Sequence, residues 1–297
     1  MRVGTASLYA GFQLRLQHLA ADLKNLNEKI ASGKKLNRPS DDPIAMVEAM
    51  QFKTTTRQME QYGRNLKTAA SWFSASESAL SLTLDLVERA RELAVQMSSD
   101  TQNDETRDGA AVEVGELLDQ AISLGNTQLS GRYIFAGYET ATAPFTKVMV
   151  GGVETAQYNG DTNDFQVQIG KDENLTAGKN GQTALMDSGL FDTLGSLKRA
   201  LEDNDWAGIN TQLGNLTAVE NHLNNQIADT GGRQNRAEVK ENILSQIQIE
   251  LQERLSRAED TDIAEVVTQL NSTQVTYQAA LAAAARLQGM SLLNFMD

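Results

Sequence analysis

The stretches of this chain whose residue types could do chemistry fail on spacing. Asp161-Thr162-Asn163-Asp164-Phe165 opens like a calcium loop, in which oxygens at alternate positions converge on the ion. Phe165 stands where the third oxygen is needed and no Gly follows it, so a β-turn is expected instead. Gly178-Lys179 resembles the end of a phosphate-cradling loop. Glu173 occupies the place of its first Gly, and Asn180 replaces the hydroxyl residue that would meet a magnesium ion. The two histidines, His18 and His222, lie far apart in helix-like segments and form no zinc-binding pair. With no Cys there is no thiol nucleophile and no disulfide. Asp41 and Asp42 sit together, but beside Pro43 they read as turn and cap residues rather than an acid–base pair. No catalytic, cofactor or metal site is therefore expected, and the chain is not expected to be an enzyme.

With no reacting group to hold, the informative residues are those that hold helices together. From Ile263 to Phe295, apolar and small residues recur at steps of three and four: Ile263, Val266, Leu270, Thr273, Tyr277, Ala280, Ala284 and Leu287. That spacing keeps one helix face against a partner helix. Asp262 and Glu265 form a variant of the capping box at its start. The other end of the chain repeats the spacing, in Thr5, Tyr9, Phe12, Leu16, Leu19, Leu23, Leu26 and Ile30. First and last segments look made for each other, or for copies in neighbouring chains.

Between them the chain of 297 residues reads as helices, then strands, then helices. Gly33 is an expected helix stop, and Asp42-Pro43 an expected start. Ile44, Val47 and Met50 begin an apolar stripe on a helix reaching about Met97, and another helix runs from about Glu105 to Leu129. Residues 145–150 and 153–158, joined by Gly151-Gly152, predict a hairpin. Phe165 to Ile169 alternates as a strand does, and Lys171 to Thr183 reads as a loop or weak strand. Helices resume at Leu190 and near Asp205, with Thr230-Gly231-Gly232 expected to break the second of these. The fold class is thus mainly α: long antiparallel helices forming a coiled-coil stalk from both termini, with a small β-rich insert in the middle. The expected divisions are 1–42, 43–130, 131–187 for the β-rich part, 188–258 and 259–297.

A net charge of −13 argues against nucleic acid and against an anionic membrane surface as partners. No apolar run is long enough to span a bilayer. The first residues, Met1-Arg2-Val3-Gly4-Thr5-Ala6-Ser7, carry no secretory signal. The basic cluster Lys34, Lys35 and Arg38 reads either as a solvated turn or as a contact for a neighbouring chain.

Three stretches resemble the flagellin superfamily of bacterial flagella: Ser32-Gly-Lys-Lys-Leu-Asn-Arg-Pro-Ser-Asp-Asp-Pro43, Val87-Glu-Arg-Ala-Arg-Glu-Leu-Ala-Val-Gln96 and Ser256-Arg-Ala-Glu-Asp-Thr-Asp262. Within it, Gly125 to Gly137, Tyr158-Asn-Gly-Asp161 and Met290-Ser-Leu-Leu-Asn-Phe-Met296 look like the hook-associated junction proteins between hook and filament. The resemblance implies an extracellular structural subunit, exported through the flagellar type III apparatus without a cleaved signal. It implies self-association into a ring or short tube, with a neighbouring hook-associated protein, flagellin and an export chaperone as partners. Phe12, Leu16, Leu19, Leu23, Leu26 and Ile30, with Leu270, Tyr277, Leu281, Leu287, Leu292 and Phe295, are the expected assembly interface. Unsatisfied stripes of this kind are expected to order only when neighbours supply apolar surface. A flagellin filament subunit, or a cytoplasmic coiled-coil scaffold or sensor, stands as the alternative.

Overall fold

The computed structural model describes the backbone of residues 2–99 and 102–296, and the side chains of residues 10–99 and 102–286. Seven α-helices and six strands follow in chain order among the described residues. They are α1 (Arg2–Ser32), α2 (Pro43–Met97), α3 (Asp104–Gly125), β1 (Gln128–Leu129), β2 (Arg132–Tyr133), β3 (Phe145–Val150), β4 (Val153–Tyr158), β5 (Phe165–Gly170), β6 (Glu173–Gly178), α4 (Gly181–Ala184), α5 (Leu190–Glu202), α6 (Trp206–Glu259) and α7 (Ile263–Met296). The mainly helical fold with a central β-rich insert is the one expected. Two compact bodies share the long helices α2 and α6. One comprises Met1–Gln58 and Ile247–Asp297, the other Met59–Gln246.

In the central body, apolar faces of α2, α3, α5 and α6 meet around Phe73, Leu80, Val87, Val114, Leu118, Leu194, Leu216 and Leu223, all buried. The strands form three two-stranded antiparallel ribbons. In β3–β4, Phe145 faces Tyr158 and Val150 faces Val153 across the register. Gly151 and Gly152, at φ 60° and 82°, make the two-residue turn; this twist asks for left-handed backbone at both positions. The ribbon is anchored from below: the Phe145 ring lies 5.3 Å from Tyr158 and 5.2 Å from Phe191 of α5. Gly195 lets α5 approach β4, since a Cβ there would fall on the Glu154 carbonyl oxygen. The third ribbon, β5–β6, pairs the expected strand at Phe165 with Glu173–Gly178 of the loop-or-weak-strand region, and Trp72 of α2 stacks on Phe165 at 4.7 Å. The calcium-like run is a turn, in which the Asn163 backbone N–H donates to Asp161 Oδ1 at 3.1 Å.

The expected break at Thr230-Gly231-Gly232 is absent: α6 is helical from Trp206 to Glu259. Each Gly costs a helix interior about 1 kcal/mol. Buried Val219 and Leu223 before the pair, and Ala237 and Leu244 after it, hold both flanks of the helix to the core. Thr230 is buried and donates its hydroxyl to the Gln226 carbonyl at 2.8 Å, within the helix ladder rather than out of it. Packing on either side outweighs the local preference.

Candidate assembly interface

The terminal body is built where the first helix stops and the last one starts. Gly33, at φ 69°, ends α1. Asp42 Oδ1 accepts the backbone N–H groups of Ile44 and Ala45, opening α2 as the Asp-Pro pair predicts. Asp262 Oδ1 likewise accepts from Ala264 and Glu265 at the start of α7. Glu265 does not reach back to complete a capping box; its carboxylate accepts from Gln269 one turn on, at 3.1 Å.

Two backbone strips then cross. The Lys35 N–H donates to the Glu259 carbonyl at 2.8 Å, and the Thr261 N–H donates to the Gly33 carbonyl at 3.0 Å. Lys34 and Asp260 make an antiparallel bridge. Since α7 begins where α1 ends and packs along it, the two helices run antiparallel.

Charge seals this crossing. The Glu259 side chain is 5% exposed and receives Lys34 Nζ at 2.9 Å and Lys53 Nζ of α2. Burial pushes its carboxyl up, and the hydrogen bonds from Lys53 and Lys34 more than offset this, holding it below the ordinary glutamate value. Lys35 Nζ donates to the Arg257 carbonyl at 2.7 Å, and Arg38 pairs with Glu28 at 2.8 Å. Asp41 accepts the backbone N–H groups of Arg38 and Asn37, which hold its carboxyl low. The basic cluster is therefore spent inside the terminal body, tying the turn to the α6–α7 junction. Sequence reading missed Glu259 and Lys53, because no local pattern links residues so far apart.

Along the helix pair the expected seam is visible. Phe12, Leu16, Leu19, Leu23, Leu26 and Ile30 of α1 are half-buried, as are Leu270, Thr273, Tyr277, Ala280 and Ala284 of α7. Val266 is the most enclosed, at 6% exposure. Leu26 and Lys29 face Thr268 and Ser272 across an open cleft. Leu281 is 44% exposed, and with Val267, two heptads earlier, it lies on a flank of the seam. The side chains of Leu287, Leu292 and Phe295 lie outside those described.

Apolar surface outside the interface expected from sequence is left open as well. Ile44, at 83% exposure, with Val47 and Met50, forms a stripe on α2 that faces outward while Ala49 is enclosed. Leu14, Ile263 and Val275 are exposed as well. The half-covered seam is thus flanked by bare apolar residues. Among the described residues, no cluster of His, Asp and Glu could hold a metal ion, and no helix is long and apolar enough to cross a membrane.

The bacterial flagellin N-terminal helical region matches residues 3–140, and the bacterial flagellin C-terminal helical region matches residues 213–296. This chain belongs to the flagellin family. Together the two matched regions include the half-buried seam residues and the α1–α7 crossing, the first the α1 side and the second the α7 side. Flagellar hook-associated protein 3 of Escherichia coli is 27% identical over 320 residues, covering 99% of each chain. The flagellar filament 30.7 kDa core protein of Treponema maltophilum is 25% identical over 295 residues, covering 98% of each. The solved structure of Bacillus cereus FlgL is 25% identical and superposes with a TM-score of 0.59, over 69% of this chain and 99% of that one. Residues between the two flagellin regions, 141–212, hold most of the β-rich part.

Proposed function

We propose that this chain is a structural subunit of the bacterial flagellum that joins hook to filament, as a junction protein of the hook-associated type. The observation that carries the reading is the end-to-end likeness to hook-associated protein 3. The physical support is the terminal body: an antiparallel helix pair whose seam is half-covered by its own partner and whose flanks are bare. Copies of the chain associate through these helices into a ring or short tube. The interface comprises Phe12, Leu16, Leu19, Leu23, Leu26 and Ile30 with Leu270, Tyr277, Leu281, Leu287, Leu292 and Phe295. The ring meets a neighbouring hook-associated protein on one side and flagellin on the other, outside the cell. An export chaperone holds the terminal helix before secretion.

The test is a cell lacking this protein. It keeps its hooks and loses flagellin to the medium; full-length filaments on such cells overturn the reading. A second reading, a filament subunit, is favoured by the end-to-end likeness to a filament core protein. Purified chain that polymerises alone into long filaments decides for the second; chain that stops at short assemblies decides for the first.

A further inference from the structure

The outward stripe of α3 carries Glu105, Asp108, Val112 and Glu116 at steps of three and four. Val112 is 66% exposed, an isolated apolar residue between carboxylates. Neighbouring Glu113 and Asp119 are engaged, by Arg89 at 2.7 Å and Lys147 at 2.8 Å. Glu105, Asp108 and Glu116 have no cation among the described residues. Gly109 adds open space beside Val112, since a Cβ there would meet nothing within 4 Å. The stripe is flat, acidic and capped by one methyl-bearing knob.

A complementary surface lies elsewhere in the same central body. Between β6 and α6 runs an open groove of about 470 Å³, floored by Ile169, Leu175, Val239 and Ile243. Val239 and Ile243 are exposed along it. Arg236 and Lys240 line it. Lys240 bridges to Glu173 at 2.5 Å, whereas Arg236 has no acidic partner among the described residues. At about 100° per residue, Glu238 and Glu241 turn to the far side of α6. In a chain of net charge −13, this is a place where two cations border bare apolar surface.

We infer that the α3 stripe of one copy seats on the α6 groove of a second copy, with Val112 against Val239 and the carboxylates of Asp108 and Glu116 against Arg236 and Lys240. The inference rests on the self-assembling reading above. The spans differ but share a centre: Asp108 and Glu116 stand about 12 Å apart along their helix with Val112 midway, and Arg236 and Lys240 about 6 Å apart along theirs with Val239 near the middle. Each cation closes its pair by leaning about 3 Å outward, within reach of its flexible stem, and Lys240 gives up its bridge to Glu173 in doing so. The two patches differ, so the contact does not close a two-fold dimer. It passes from copy to copy, as a ring or a helical tube requires.

The chain has no Cys, so Val112→Cys and Val239→Cys introduce its only thiols. Cells without their own copy are made to express both single variants together, and their isolated flagella are mildly oxidised. The expected result is a disulfide-linked dimer from the mixture, no dimer from either variant alone, and a ladder from the double variant. Absence of the mixed dimer, dimers of a single variant, or a link to a flagellin or another hook-associated protein overturns the inference. Absence of the chain from flagella sinks the proposed function separately; the mixed dimer is then sought in concentrated purified full-length chain, and its absence there overturns the contact too. Independently, Arg236→Glu with Lys240→Glu lowers self-association of otherwise wild-type chain roughly tenfold. Asp108→Lys with Glu116→Lys in the same chain restores it to within about twofold. Charge reversal without effect also overturns the contact.

Discussion

Glu259 and Lys34, 225 positions apart, meet at 2.9 Å where the first helix ends and the last begins. Lys53 reaches the other oxygen of the same buried carboxylate. The two lysines remain partly in water, so the triad contributes less than a fully buried network would.

Its contribution depends on pH. The folded carboxyl of Glu259 lies below the ordinary value of 4.5. The unfolded chain then binds the proton more readily, so the stabilisation is fully present above the ordinary value and fades as pH falls through the folded one. Glu259→Gln is expected to lower stability near neutral pH by about 1–2 kcal/mol. Thermal melts followed by circular dichroism check this: the midpoints of wild type and variant converge as the solution is acidified. A constant gap across that range argues that Glu259 is not the titrating group.

Leu23 and Leu281 separate folding of the helix pair from assembly. Leu23 is half-buried in the seam, whereas Leu281 is exposed beside it. Leu281→Asp is expected to leave the melting of the isolated chain within about 0.5 kcal/mol of wild type and still abolish incorporation into flagella. Leu23→Asp is expected to lose incorporation and also loosen α1, seen as faster amide exchange over residues 12–30. Normal filament growth with either variant counts against the interface.

At Gly195, α5 comes close against the β3–β4 ribbon. A Cβ at this position would lie 1.7 Å from the Glu154 carbonyl oxygen, a backbone atom that cannot turn aside. Gly195→Ala is expected to destabilise the central body by about 3 kcal/mol or more, measured by denaturant unfolding followed through Trp72 and Trp206 fluorescence. Unchanged unfolding would mean that helix and ribbon separate at little cost.

Gly231 and Gly232 call for the opposite result. Both lie inside α6, and a Cβ on either meets nothing within 4 Å. Replacing both by Ala is expected to raise stability by roughly 1–2 kcal/mol, because a helix interior penalises Gly against Ala. A loss of stability in the same unfolding measurement would show that α6 needs to flex there.

The amino-acid sequence by itself determined the features that depend on short range. The three-four seams of α1 and α7 are legible as stripes because a helix brings such positions onto one face. Gly151-Gly152 specified its turn, and Asp42 and Asp262 their caps, through bonds made within three residues. Only the tertiary structure decided what these elements face. It carried α6 through Gly231-Gly232 by holding the helix on both flanks, and it turned Ile44, Val47 and Met50 outward although their spacing is that of a buried stripe. It also brought Lys34, Lys53 and Glu259 together. Periodicity states that a face is apolar and leaves open what covers it. An ion pair between distant residues forms only after packing has closed the long loop between them, and no local preference records that closure.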